Sequence, residues 1–353
     1  MAIRFYKKKV NSTFLSPFNE FKPTTATIEV RQDPLTPHRA RILSFRYRGL
    51  VKKDLDALVD QSLKTGCPFC PENLPQKAAR FVEELVPEGT IRRGEAVIFP
   101  NAFPYEKHNG VCVLCRQHFV PIDGFKPEWI FQALLACQDY FRLIKKKDPK
   151  TSYGSINWNF LPLSGAGLIH PHFQLVAQDR PTRYMGEMLK KTKNHFQQHK
   201  RPFFSDLLHQ EKMSGDRYLG HTGTVHWLSA FAPLGIIEIM ALWEGTNDFL
   251  TIPENGLKDF SQGLVQVLRF FGSKNIYSLN MALYLLLEEQ DHFPLVAKII
   301  PRIELPPLNV SEINYFERLH HEIFTFYPPE DVAAEIRSFF TEHPSIPSLD
   351  GRG

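Results

Sequence analysis

The sequence predicts an α+β protein made of two related halves, each an antiparallel sheet packed with helices. Three observations carry that expectation. Runs such as EAVIFP, GVCVLC and YGSINWNF read as strands joined through loops. No strand is followed by a glycine-rich turn and helix in a βαβ repeat, which excludes a doubly wound sheet. A block of loop, strand, amphipathic helix and paired strands occurs twice, and the fragments HFQLVAQ at 172–178 and HFPLVAK at 292–298 are alike. The halves are expected at 1–215 and 216–353.

The elements follow in order. The first 30 residues are mixed. Pro34 and Pro37 mark a turn before ARILSFRYR, which reads as a strand. LVKKDLDALVDQSLK has helical spacing and leads into GCPFCPENLP. EAVIFPNAFPYEKHNGVCVLCRQHFVP reads as strand, loop, strand, and PEWIFQALLACQDYFRLIKKK is an amphipathic helix with Pro127 near its start. After YGSINWNFLPL and SGAGLIHPHFQLVAQ comes a further helix, RPTRYMGEMLKKTKNHFQQH. In the second half TVHWLSAFAPLGIIEIMALWE, GLKDFSQGLVQVLRFFG, IYSLNMALYLLL and HFPLVAKIIPR repeat the strand, helix and strand-pair order. PPEDVAAEIRSFFTEH closes the chain as a helix, and Trp227 with FAPLG packs the second half.

Length and composition narrow the function. A chain of 353 residues with 43% hydrophobic and 23% charged residues suits about two globular units. The net charge of +4 is small and dispersed, so nucleic acid is not an expected partner. The basic run KKTKNHFQQHKR reads as a solvated helix face. MAIRFYKKKVNSTFL lacks the apolar core of a signal peptide and no stretch reaches membrane-spanning length, so the expectation is a cytoplasmic protein without a membrane partner. Five cysteines in such a chain favour metal ligands or core thiols over disulfides, with Cys137 placed in the core.

Two short stretches carry chemistry. In CPFC the thiolates of Cys67 and Cys70 fall within reach of one ion, and Gly66, Pro68 and Pro71 favour the tight knuckle. Two more ligands are needed, either Cys112 with Cys115 or two histidines. Cys112 and Cys115 face opposite sides if GVCVLC is a strand, which favours histidines. His118 and His170 are the candidates, with His108 competing for the place of His118. In HPHFQ a strand would set His170, His172 and Gln174 on one face and Pro171, Phe173 and Leu175 on the other. Asn101 and Asn159 also read as simple turn formers, and Gly165 and Gly167 as turn glycines.

RQDPLT, CPFC, FPNAFP, the asparagine of NWNF, SGAG, HPHFQ and IIPR, in this order and over most of the chain, resemble the galactose-1-phosphate uridylyltransferase group of the histidine-triad superfamily, which includes nucleotide phosphorylase relatives. The resemblance implies two histidine-triad-like halves, of which only the first carries a nucleophile. It implies a zinc ion held by Cys67, Cys70, His118 and His170, structural because four protein ligands leave no open position; the donor set also admits iron. His172 is then the nucleophile, and Gln174 a neutral donor to phosphate where related hydrolases have a third histidine, which favours transfer over hydrolysis. Asn101, Phe103, Asn159, Gly165 and Gly167 match positions that hold the nucleoside and phosphates.

The implied activity is nucleotidyl transfer from a nucleoside diphosphate sugar to a sugar 1-phosphate or phosphate through a covalent nucleotidyl-histidine, in a homodimer. Its rivals are an ADP-sugar or dinucleoside polyphosphate phosphorylase, a hydrolase, and a non-catalytic nucleotide-binding protein. Two departures stand out. Gly167 replaces a hydroxyl residue, and Pro294 and Val296 replace the His-x-His of a second metal site, so no second metal is expected. The HFPLVAK match instead sets His292 against His172.

Overall fold

A hairpin of two 11-residue strands, β1 (Tyr6–Ser16) and β2 (Lys22–Gln32), opens the computed structural model, which describes residues 3–46, 49–288 and 290–341. Sequence pattern missed it because β1 is exposed almost throughout and shows no apolar alternation. β3 (Arg39–Ile42) pairs with β2 and stops where Ser44–Arg46 turn as a 3₁₀ helix. The expected strand ARILSFRYR is therefore half as long, and its Tyr47 and Arg48 lie outside the described residues.

The chain then forms α1 (Asp56–Lys64), α2 (Leu74–Lys77), β4 (Ile91–Arg93), β5 (Ala96–Pro100), β6 (His108–Val113), α3 (Pro127–Lys147), β7 (Tyr153–Phe160) and β8 (His172–Gln178). Next come α4 (Arg183–His199) and α5 (Phe203–Ser214). The series resumes with β9 (Tyr218–Thr222), β10 (Val225–Ser229), β11 (Ile239–Trp243), α6 (Glu254–Ser273), β12 (Ser278–Leu286) and β13 (Val296–Arg302). β14 (Glu304–Leu305), β15 (Val310–Ser311), α7 (Tyr315–His320), β16 (Glu322–Thr325) and α8 (Pro329–Thr341) complete it. α8 falls on the expected closing helix, whose last residues, 342 and 343, lie outside the described ones. β16 returns from the far end of the chain to pair parallel with β3.

Strands β4 to β13 form one ten-stranded sheet in the order β4-β5-β6-β8-β7-β12-β13-β11-β10-β9, every pairing antiparallel. From either edge inward the connectivity is the same: three strands, then a helix that crosses to a pair. β7 and β12 meet at the centre, with Asn159 opposite Asn280.

One face of the sheet packs under α3 and α6. α3 buries Trp129, Ile130, Ala133, Leu134, Cys137, Tyr140, Phe141 and Ile144, the three-four spacing of an amphipathic helix, with Glu128 in its first turn and Lys145 to Lys147 in its last to complement the dipole. Trp158, Phe173 and Leu175 meet it from the sheet. In α6 the indole of Trp227 lies against Gly263, where an added Cβ would come within 2.3 Å of the ring, so alanine there would push Trp227 off its stack on Phe260.

The opposite face is covered at its two ends and polar in the middle. On the first half Leu74 and Phe69 pack on Val97, Phe99, Val111 and Val113. On the second half Met185 and Met188 of α4 and Phe203, Phe204, Leu207 and Leu208 of α5 cover Met240, Leu242 and Val296. Helix α5 escaped the sequence reading because Glu211 interrupts its apolar stripe; the structure buries it against Arg217, at 2.9 Å. Between the covers lie His172, Gln174, Asn157, Asn159 and Asn280, all on one face by strand alternation.

The structural register also decides between the two ways of matching the halves. β8 begins at His172 and β13 at Val296, and the two hold corresponding places in the sheet. Val296 thus stands where His172 does, and His292 precedes the strand. The HFQLVAQ and HFPLVAK likeness is out of structural register.

Candidate functional site

Three chain segments converge at the first-half end of the polar strip. The turn after α1 brings Cys67 and Cys70 beneath the segment that enters β8, and the loop after β6 adds His118. The ligand atoms of Cys67, Cys70, His118 and His170 all lie within 4.8 Å of one another. The Cys70 Sγ is 3.2 Å from His118 Nδ1, and both thiol sulfurs are 3.8 Å from His170 Nδ1. Tetrahedral zinc with ordinary Zn–S and Zn–N bonds would set sulfur and nitrogen about 3.6 Å apart, so the donor set and its spacing fit that ion.

Burial and the adjacent Cys67 push the Cys70 thiol up to about 12, and burial brings the His170 imidazole down to about 4. Positive charge among these groups would favour the thiolates, with the imidazoles already neutral. The Nε2 of His170 is 2.9 Å from the carbonyl of Cys115 and donates to it, which leaves Nδ1 with its lone pair toward the thiols. Cys115 therefore serves through its backbone, and Cys112 sits in the core beneath α3, so the four-cysteine alternative is excluded. His108 instead pairs with Asp148 at 2.9 Å, away from the cluster.

His172 is held by the same segment. Its Nδ1 is 2.7 Å from the carbonyl of His170, so Nδ1 carries the proton and Nε2 the free lone pair. Burial keeps its pKa below the ordinary imidazole value, although the carbonyl bond acts in the opposite direction. The ring of Phe69, from within the knuckle, meets His172 edge-on at 5.1 Å and His170 at 6.3 Å. One residue, His170, thus gives its ring to the thiol cluster and its carbonyl to the neighbouring imidazole.

The other expected residues spread along the strip. Gln174 lies two residues further on the same face, half-buried, and Asn157 Nδ2 donates to its carbonyl at 3.3 Å. Asn159 Oδ1 accepts from Asn280 Nδ2 at 2.7 Å, and the same Asn280 nitrogen is 2.9 Å from the carbonyl of Ser164. Arg302 Nη1 donates to Asn280 Oδ1 at 3.2 Å. The second half therefore braces the SGAG turn, through two residues that sequence reasoning missed.

That turn is a short 3₁₀ helix, Pro162–Ser164, closed by Gly165 at φ +90°. Protein atoms leave open the space a Cβ would fill at Gly165 and Gly167. Asn101 closes its own turn, accepting from the amide of Phe103 at 2.9 Å, while Phe103 projects almost fully into solvent. The structure thus groups the metal candidates tightly and leaves Asn101 and Phe103 on a separate loop. A third missed residue is Tyr105, whose hydroxyl reaches Gln174.

No family model matches the chain. A protein of Archaeoglobus fulgidus, described as uncharacterized, is 31% identical over 316 residues, covering 89% of this chain and 93% of that protein. This chain belongs to that protein's family. Solved structures add the fold. A GalT-like protein from Arabidopsis thaliana superposes with a TM-score of 0.68 at 17% identity, covering 88% of this chain and 98% of that one. An ADP-glucose phosphorylase from Arabidopsis thaliana, solved with bound ADP-glucose, gives 0.69 at 16% identity over 88% and 98%. A uridylyltransferase gives 0.67 at 17% identity over 89% and 98%. The expected α+β architecture of antiparallel sheet and helices is the fold of these proteins. Among the described residues no helix is long and apolar enough to cross a membrane.

Proposed function

We propose that this protein is a nucleotidyltransferase that moves a nucleoside monophosphate from a nucleoside diphosphate sugar to a sugar 1-phosphate or orthophosphate, by way of a nucleotidyl-His172 intermediate. The observation that carries the reading is the His170 carbonyl 2.7 Å from His172 Nδ1, beside a Cys2His2 cluster that fits zinc. The hydrogen bond fixes the tautomer in which Nε2 is nucleophilic.

In the first step Nε2 attacks the α-phosphorus, a P–N bond forms, and the bond from phosphorus to the bridging oxygen of the leaving sugar phosphate breaks. In the second, an acceptor phosphate oxygen attacks and the P–N bond breaks, which frees the imidazole. The Gln174 amide donates to a non-bridging oxygen as charge develops there. The backbone around Gly165 and Gly167 has room for phosphate oxygens. Asn101, Phe103 and Asn159 contact the nucleoside and phosphates.

A zinc ion held by Cys67, Cys70, His118 and His170 would cross-link the knuckle to the strand entrance and add no reactive position. The five cysteines are all free and buried, which supports a reducing compartment such as the cytoplasm. The halves at 1–215 and 216–353 are then related units, the second having lost its nucleophile, and the protein acts as a homodimer.

The test is steady-state turnover with UDP-glucose or ADP-glucose as donor and galactose 1-phosphate or orthophosphate as acceptor. Parallel double-reciprocal lines for one donor and acceptor pair are expected and identify base and acceptor together. Release of nucleotide at a rate that no acceptor raises would replace transfer with hydrolysis.

A further inference from the structure

The loop between β5 and β6 is fastened to β8 beside Gln174. Asn109 is buried, and its Nδ2 donates to the carbonyl of Leu175 at 2.8 Å. Its Oδ1 accepts from Asn101 Nδ2 at 3.2 Å and from the amide of Tyr105 at 3.3 Å. These bonds hold the Tyr105 backbone over the strand, and its hydroxyl donates to Gln174 Oε1 at 2.5 Å. Among the described residues no protein acceptor meets the Gln174 amide nitrogen.

A primary amide can present either its oxygen or its NH2, and only the NH2 attracts a phosphate oxygen. With a donor already on Oε1, the NH2 is the group left to face the open strip. Gln174 is half-buried in a strand whose backbone is paired on both sides by β6 and β7, so its amide turns only through side-chain torsions.

We propose that Tyr105 is a positioning residue that sets the Gln174 amide with its NH2 toward the transferred phosphoryl group. The inference rests on the His172 transfer reading. Tyr105 acts through Gln174, from a loop that also carries Phe103, so donor binding and orientation of the phosphate contact are joined in one segment.

The experiment is single-turnover nucleotidylation of the full-length protein by UDP-glucose and by ADP-glucose, in the wild type, Tyr105→Phe, Gln174→Ala and the double variant. It is paired with the side-chain amide 15N resonance of Gln174 recorded without donor. Tyr105→Phe is expected to slow adduct formation roughly tenfold with the half-saturating donor concentration unchanged, and to move the Gln174 resonance. In the Gln174→Ala background the same substitution should change the rate less than about twofold. An unchanged rate in Tyr105→Phe, or a full penalty that persists without Gln174, overturns the inference. If the wild type forms no adduct, the transfer reading fails on its own account, and an unmoved Gln174 resonance would then overturn Tyr105's hold on the amide while a moved one supports it.

Discussion

Strands β8 and β13 hold the same place in their halves of the sheet and turn different side chains to the same face. β8 presents His172 and then Gln174; β13 presents Val296 and then Lys298. Over β8 the cover is partial, with His172 buried beside Phe69 and Gln174 half-buried at the edge of the polar strip, whereas α4 and α5 close over β13. Under that cover Lys298 is buried, 2.6 Å from Glu238 and 5.5 Å above the ring of Tyr184. Burial alone would lower the Lys298 pKa, but the Glu238 carboxylate holds it well above the ordinary lysine value. The polar group at one strand position stands half-buried beside the polar strip in one half, where we propose that it meets phosphate, and is fixed into an ion pair in the other. The difference lies in what packs above the strand.

The sharpest way to break this comparison is to exchange the roles assigned to the histidines. His172→Ala should reduce nucleotidyl transfer to background, a loss on the order of 10⁶-fold as for other covalent nucleophiles. His292→Ala, at the residue that sequence likeness would pair with it, should leave turnover within about twofold. A comparable loss in both would mean that the structural register misplaces the site.

The second half should answer in stability. Lys298→Met leaves Glu238 buried without its cation and is expected to cost about 3–5 kcal/mol in urea unfolding, whereas Lys298→Met with Glu238→Leu should recover most of that. If the single substitution has no cost, the pair is not the structural counterpart of the open strip.

Metal removal sharpens the contrast from the other side. One zinc per chain is expected by elemental analysis, and none for the second half. Cys67→Ser or a strong chelator should lower the melting temperature by roughly 10 °C and abolish metal retention. Metal content unchanged in Cys67→Ser would remove the cluster from the account.

The smallest effect concerns how the second half is tied to the opening sheet. Glu330 of α8 bonds Arg31 and Arg217, at 2.8 Å each. Burial opposes its ionisation, yet the Arg31 and Arg217 bonds bring its pKa down to about 2. A depressed carboxyl stabilises the fold above its unfolded pKa and loses that contribution as pH falls toward the folded value. Wild type should therefore lose about 1–2 kcal/mol between pH 4.5 and 2 that Glu330→Gln does not lose, after allowance for solvent screening.

The legible parts of this molecule were those where neighbours in sequence act together. CPFC is a knuckle because four consecutive residues make one, and α3 announces itself by its apolar spacing. HPHFQ placed His172 and Gln174 on one face of β8, while His170, expected on the same strand, lies just ahead of it, and the family resemblance implied roles for its residues. The contacts that sequence reasoning missed join distant segments: β3 with β16, Asn159 with Asn280, and Gln174 with Tyr105. Each is a polar or edge contact without a periodic signal. The same holds for β1, whose residues before Ser16 are exposed and whose register comes from backbone pairing with β2. Local likeness also misled where it was strongest, since HFPLVAK resembles HFQLVAQ while the strands themselves begin four residues apart in that match.

The most direct measurement is intact-protein mass after separate incubation with UDP-glucose, ADP-glucose and diadenosine tetraphosphate at mildly alkaline pH, which preserves a phosphoramidate, followed by peptide mapping. The account predicts one uridylyl or adenylyl group per chain, on His172, absent from His172→Ala. An adduct on another residue, or nucleotide bound tightly with no adduct from any donor, would contradict it.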